Sequence, residues 1–152
     1  MPGREVASFK TPFGVVGLSV CYDVRFPELY RMLVDRGARV LCVPAAFARE
    51  TGRDHWEVLL RARAIETGSF VIAPAQGGAH EDGRATWGHS MAVAPWGEVI
   101  ALADHDEPAV VMAYLDLAEV AKARAAIPAL QNERAFAGPV TADEPALGTA
   151  AD

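Results

Sequence analysis

Apolar and polar positions along the chain alternate in short runs broken by proline, glycine and charged clusters. This is the pattern of alternating strands and helices. Val6–Lys10 and Val15–Val20 flank Thr11-Pro12-Phe13-Gly14, which predicts a hairpin whose second arm is a buried strand ending at Cys21. From Phe26 to Arg36, Leu29, Tyr30, Leu33 and Val34 recur with helical period, with Pro27 suited to the first turn and Gly37 to the stop. Arg39–Val43 reads as a short buried strand closed by Pro44. Asp54, with Glu57 three residues on, predicts the cap of a helix that Gly68 ends after Thr67. Phe70–Ala73 predicts the next strand, and the polar, glycine-rich stretch Gln76–Trp87 a surface loop. Ser90–Ala94 and Glu98–Ala103, joined by Pro95-Trp96-Gly97, form a second hairpin. Ala109–Leu115 reads as a further strand, and Asp116 caps a short helix ending near Ala126. The order β-β-α-β-α-β-β-β-β-α predicts an α/β fold, a mixed sheet with flanking helices. The domain reads as residues 1–136 and an irregular tail as residues 137–152.

Composition narrows the function. The chain has 152 residues, enough for one domain, and 51% of them are hydrophobic, enough for a core. The net charge of −6, with no basic run, argues against nucleic acid and against an anionic membrane surface. No apolar stretch approaches the roughly 20 residues that span a bilayer. No long apolar stretch follows Arg4, so the start does not read as a signal peptide. The two cysteines, Cys21 and Cys42, lie in strand-like apolar runs, which predicts free thiols and a cytoplasmic location. His55, His80, His89 and His105 match no zinc spacing, and Gly77-Gly78 precedes no phosphate-binding helix, so neither a metal nor a cofactor is expected. Gly88-His89-Ser90-Met91-Ala92 is not a nucleophilic serine motif. Arg61, Arg63 and Glu66 read as a structural ion-pair network on one helix.

The residue with the strongest chemical potential is Cys21. A thiol at the exit of a strand, just before a helix, sits where backbone N–H groups can face a developing oxyanion and where the thiolate is favoured. The competing reading is a small core residue, which is how Cys42, inside Val40-Leu41-Cys42-Val43, reads. The segment Gly17-Leu18-Ser19-Val20-Cys21-Tyr22-Asp23-Val24-Arg25-Phe26-Pro27-Glu28-Leu29 resembles the nucleophile segment of the nitrilase superfamily, the carbon–nitrogen hydrolases that use a Glu-Lys-Cys triad. The resemblance continues in His55–Glu66, in Trp87-Gly88-His89-Ser90-Met91 and in Pro95-Trp96-Gly97-Glu98. It is strongest to the Nit branch of amidases, which includes omega-amidases and deaminated-glutathione amidases.

The resemblance implies part of an α-β-β-α sandwich, with Cys21 attacking an amide carbonyl to give a thioester. It implies that the Tyr22 N–H helps hold the oxyanion and that Arg25 meets a substrate carboxylate; the competing role for Arg25 is a structural pairing with Asp23 or Glu28. Glu28, in the first helical turn, reads as a scaffold residue. Phe47, Thr51 and His55, after the second strand-like run, are further substrate-contact candidates. In the family the Glu and Lys come from chain upstream of the cysteine, and Glu5, Lys10 and Lys122 do not match them. The expectation is therefore a C-terminal half that acts on a small amide and forms a homodimer or associates with an N-terminal half. An alternative from another class is a catalytically silent interaction module. A redox thiol protein is a third reading, weakened by the lack of a closely spaced resolving cysteine.

Overall fold

The computed structural model describes residues 3–135. The first hairpin joins β1 (Ala7–Thr11) to β2 (Gly14–Leu18), with Thr11 opposite Gly14. Pro12 and Phe13 make its turn, and Thr11 Oγ1 donates to the Gly14 carbonyl at 2.8 Å. A short 3-10 turn, Cys21–Arg25, leads into α1 (Pro27–Asp35) and then β3 (Ala38–Cys42). The helix α2 (Arg49–Thr67) precedes β4 (Phe70–Ala73), β5 (Gly77–Ala79) and β6 (Ala85–Trp87). The strands β7 (Ser90–Val93) and β8 (Val99–Ala103) and the helix α3 (Ala118–Ala126) complete the described chain.

One six-stranded mixed sheet organises the molecule, in the order β1-β2-β3-β4-β7-β8. Its centre, β2-β3-β4, is parallel, and the outer pairings are antiparallel. Period-two alternation sorts the residues. Gly17, Leu41, Val71 and Val93 stand in register on one face, and Leu41, Val71 and Val93 are fully buried there. Tyr30, Leu33 and Val34 form the buried stripe of α1, and Trp56, Leu60 and Ala64 that of α2. Gly17 gives α1 its seat, since a Cβ there would lie 3.1 Å from Leu33 Cδ1. Each fully buried leucine contributes about 1.5–3 kcal/mol to this layer. The other face carries Leu18, Cys42, Ile72 and Ala92 in register, and Leu18 is 40% exposed.

The fold departs from the sequence reading in four places. The helix α2 starts at Arg49 rather than at Asp54, and its N-cap residue, Ala48, makes no side-chain cap. Asp54 lies inside the helix and pairs with Arg53 at 3.0 Å. Glycine normally weakens a helix interior. Gly52 is tolerated because Trp87 lies on it: a Cβ there would fall 2.3 Å from Trp87 Cβ. Gln76–Trp87 is not a plain loop but contains the hairpin β5-β6, packed on α2. Ala109–Leu115 joins no ladder among the described residues, and Val110, Met112 and Tyr114 are 88%, 85% and 89% exposed. Apolar alternation supplies strand propensity, but a strand also needs a paired edge. The element that follows Cys21 is the 3-10 turn, and α1 starts only at Pro27. Asp116 does serve the start of α3, its carboxylate accepting the Ala118 N–H at 2.9 Å. The boundary at 136 and the tail 137–152 lie outside the described residues.

Candidate active site

The parallel ladder continues beyond the end of β2. Ser19 N–H donates to the Cys42 carbonyl at 3.0 Å and Cys21 N–H to the Pro44 carbonyl at 2.8 Å. Cys21 is thus pinned by its own backbone, and its φ is +48°. A non-glycine residue in this left-handed region costs on the order of 1–3 kcal/mol and persists only where its surroundings enforce it. Asp23 supplies part of that enforcement: its carboxylate accepts the Val20 N–H at 2.8 Å, while its own N–H donates to the Val20 carbonyl at 3.0 Å. The Tyr22 N–H donates to no acceptor among the described residues.

More enforcement comes from the interior. Ser19 Oγ donates to the Cys42 carbonyl at 3.0 Å and is 2.8 Å from the hydroxyl of Tyr30. Tyr30 is fully buried, and burial pushes its phenol up to about 12. On the other side of the cysteine, buried Arg63 donates from Nε to the Val24 carbonyl at 2.9 Å and from Nη1 to Glu66 at 2.7 Å. The network expected of Arg61, Arg63 and Glu66 forms in part: Arg63 pairs with Glu66 and reaches the cysteine turn, while Arg61 pairs with Glu57 at 3.3 Å.

A cleft of about 930 Å³ opens where β2, β3 and β4 end, and Cys21 lines it with Ala45, Gln76 and Ser90. The strand topology explains the position: the carboxyl ends of adjacent parallel strands splay their loops there. Ser90 Oγ accepts the Ala75 N–H at 2.8 Å and donates to the Ala75 carbonyl at 3.1 Å, so it braces the wall. Cys42 sits below, half-buried, with its thiol pushed up by burial. Both cysteines are free.

The 3-10 turn brings Cys21, Tyr22 and Arg25 together. The Arg25 guanidinium lies 5.4 Å from the Tyr22 ring centre and 5.1 Å from that of Phe47. Its Nη1 is 3.4 Å from His55 Nδ1. It forms no ion pair with Asp23, Glu28 or any other acid among the described residues. Phe47 is only 4% exposed and packs on Trp56 with ring centres 5.1 Å apart, so it carries Arg25 from the core side. Thr51 stands on the exposed first turn of α2, its Oγ1 donating to the Ala48 carbonyl at 3.4 Å. None of Arg25, Phe47 and Thr51 belongs to the cleft wall around Cys21.

The cleft also gathers His80, His105, Asp106 and Glu107, which sequence reasoning did not select. They come from the β5-β6 hairpin and from the chain after β8, and only the β7-β8 pairing brings that chain to this end of the sheet. Arg49 Nη2 holds Asp106 Oδ2 at 2.7 Å. Gly77 makes room for this aspartate, since a Cβ there would lie 2.7 Å from Asp106 Oδ1. The glycines of that stretch were the available sequence signal. No lysine lines the cleft among the described residues. Lys122 is paired with Glu119 at 2.6 Å on α3, and Lys10 lies opposite Val15 beside the hairpin turn.

A left-handed cysteine at the mouth of a cleft, followed by an uncommitted backbone N–H, gives an open α/β sheet the layout of a nucleophile turn. Residues 1–125 match the model of the carbon–nitrogen hydrolase family. The chain belongs to this family. It is 48% identical over 135 residues to the deaminated glutathione amidase of Bos taurus, covering 88% of this chain and 41% of that protein. It is 52% identical over 120 residues to the deaminated glutathione amidase of Synechocystis, covering 79% of this chain and 44% of that protein. The chain thus spans about two fifths of the length of the curated relatives it matches. Among solved structures, the C. elegans NitFhit protein superposes with a TM-score of 0.84 at 46% identity, covering 88% of this chain and 32% of that one. A mutant amidase from Nesterenkonia sp. AN1, in which the acetamide moiety of fluoroacetamide is covalently added at the active-site cysteine, superposes with a TM-score of 0.73 at 32% identity, covering 88% and 47%. These neighbours confirm the mixed α/β fold. Among the described residues, no helix is long and apolar enough to cross a membrane.

Proposed function

We propose that the site hydrolyses the carbon–nitrogen bond of a small carboxylated amide, with Cys21 as nucleophile. The observation that carries this reading is the left-handed Cys21 at the cleft with the unengaged Tyr22 N–H beside it. The thiolate sulfur bonds to the carbonyl carbon, and the carbonyl electron pair moves to oxygen, where the Tyr22 N–H meets it. Collapse expels the amine, which leaves with a proton, and a thioester remains. Water then adds to the thioester and returns the thiol and a carboxylic acid. One oxyanion donor of this kind is worth about 2.7–4 kcal/mol in the transition state. The proton transfers need a general base and a cationic group. In this reading a complementary segment supplies them, since no lysine lines the cleft among the described residues.

Arg25 is the proposed carboxylate contact. Its guanidinium is steadied by Tyr22 and Phe47 and has no acidic partner among the described residues, so its outer donors are open to an anion. Thr51 is proposed at the outer edge of the same substrate path. The names of the deaminated glutathione amidases support a carboxylated amide, and the two free thiols suit a reducing, cytoplasmic setting. Cys21→Ala should abolish amide turnover. Arg25→Lys should raise KM for a carboxylated amide about tenfold while leaving an uncharged amide of similar size unchanged. Steady-state kinetics with the two amides reads both effects. Equal losses on both amides would remove Arg25 from carboxylate recognition.

A second reading has its own observation. Among the described residues, the sheet face bearing Leu18, Cys42 and Ile72 has no helix layer matching that of α1 and α2, which suits a docking module. Purified chain that dimerises tightly and never gains amidase activity, alone or with a complementary segment, would favour that reading over the first.

A further inference from the structure

We infer that Arg63 and Tyr30 form a two-sided clamp that positions Cys21, so that a helix residue remote from the cleft sets the reactivity of the thiol. The inference deepens the amidase reading and rests on it. Neither residue lines the cleft. Both act through the backbone on either side of the cysteine.

On the upstream side the Tyr30 hydroxyl is 2.8 Å from Ser19 Oγ, and Ser19 holds the Cys42 carbonyl through its N–H and its hydroxyl, each at 3.0 Å. On the downstream side Arg63 Nε holds the Val24 carbonyl at 2.9 Å, near the end of the 3-10 turn. The last carbonyls of a short helix lack partners within it, so an outside donor decides where that end sits. The two sides share one part: the Arg63 guanidinium lies 5.5 Å from the centre of the Tyr30 ring, and Glu66 fixes it at 2.7 Å. Arg63 is 6% exposed and Tyr30 is fully buried. A buried guanidinium persists only when its hydrogen bonds are satisfied. Here they are satisfied by the Val24 carbonyl, in the turn that holds the left-handed cysteine, and by the Glu66 carboxylate. The supporting helix is anchored by Trp56, Leu60 and Ala64, all fully buried, which gives the clamp a rigid post. Without the clamp, the turn is free to let Cys21 relax to ordinary extended backbone. The sulfur then leaves its place beside the Tyr22 N–H.

Alkylation by iodoacetamide tests this in the chain as it exists. Trypsin places Cys21 in the peptide Thr11–Arg25 and Cys42 in Val40–Arg49, so mass spectrometry reads both rates in one sample. Arg63→Met should slow Cys21 about tenfold relative to Cys42, since small displacements of a reacting group have effects of this size. Arg63→Lys should recover part of that rate, and Tyr30→Phe, which deletes a single oxygen, should slow Cys21 by about threefold. Val120→Ala, in the buried base of α3, should lower the melting temperature without changing the Cys21 rate. In a preparation that turns over amide, Arg63→Lys should lower kcat and leave KM within about twofold. A folded Arg63→Lys and a folded Tyr30→Phe that both alkylate like the wild type would overturn the clamp. So would a Val120→Ala that slows Cys21 as much as Arg63→Met does. A wild type that never hydrolyses amide, but whose Cys21 rate still follows the clamp variants, would remove the amidase reading and leave the clamp standing.

Discussion

At the residue scale, the cost of the left-handed backbone at Cys21 sets it apart from a cysteine packed in a regular strand. Its neighbour in the fold, Cys42, sits in a regular strand and pays nothing of the kind. Glycine removes the penalty of the left-handed region, roughly 1–2 kcal/mol for an L-residue. Cys21→Gly should therefore be more stable than Cys21→Ala by about 1 kcal/mol in urea unfolding; the reverse order would mean that the turn is not strained. Tyr30 gives a second signature. Its folded-state phenol stands at about 12 against an ordinary 10.0, chiefly because burial disfavours the phenolate. The unfolded chain then releases this proton first as pH rises. The contribution of Tyr30 is intact below pH 10 and falls away between pH 10 and 12, by up to about 3 kcal/mol. Tyr30→Phe should flatten the alkaline slope of stability in that window, and an unchanged slope would contradict the burial. The place of Cys21 at the exit of the second strand was legible in the sequence because an apolar run ends there, whereas the 3-10 turn that follows was not. Arg63 was legible only as an ion pair, because its bond to the Val24 carbonyl spans 39 positions and leaves no local pattern.

At the element scale, α2 connects the site to the core. It carries Trp56, whose Nε1 donates to the His89 carbonyl at 2.9 Å, and it meets the β5-β6 hairpin where Gly52 faces Trp87. Gly52→Ala would ordinarily strengthen a helix by up to about 1 kcal/mol. Here the added methyl collides with Trp87, so the change should cost about 1–3 kcal/mol. Thermal unfolding decides the sign, and a stabilised variant would show that the contact is not tight. The start of α2 was misread because Asp54 and Glu57 have the spacing of a capping box, whereas the helix begins at Arg49 and runs through Gly52 beneath Trp87. Ala109–Leu115 shows the converse, good strand residues left without a paired edge. The β1-β2 hairpin, α1 and the β7-β8 hairpin were read within a residue or two because turn residues and apolar period agree in each.

At the scale of the whole molecule, a six-stranded sheet carries α1 and α2 on one face and gathers its chemistry at one end. The parallel centre delivers Cys21, Ala45 and Ala75 to the cleft together, and the antiparallel β7 and β8 return Ser90 and the chain after Ala103 to the same place. This convergence follows from strand order, which a linear sequence does not display, and it is why His80 and His105 were weighed only as metal ligands and Asp106 and Glu107 were not considered. The most direct test of the thiol mechanism is acid quenching during hydrolysis of a short carboxylated amide, followed by mass analysis of the tryptic peptides. The acyl group should appear on Thr11–Arg25 at Cys21, with Val40–Arg49 unmodified. Continued hydrolysis with Cys21 replaced by alanine, and no acyl group on that peptide in the wild type, would contradict it.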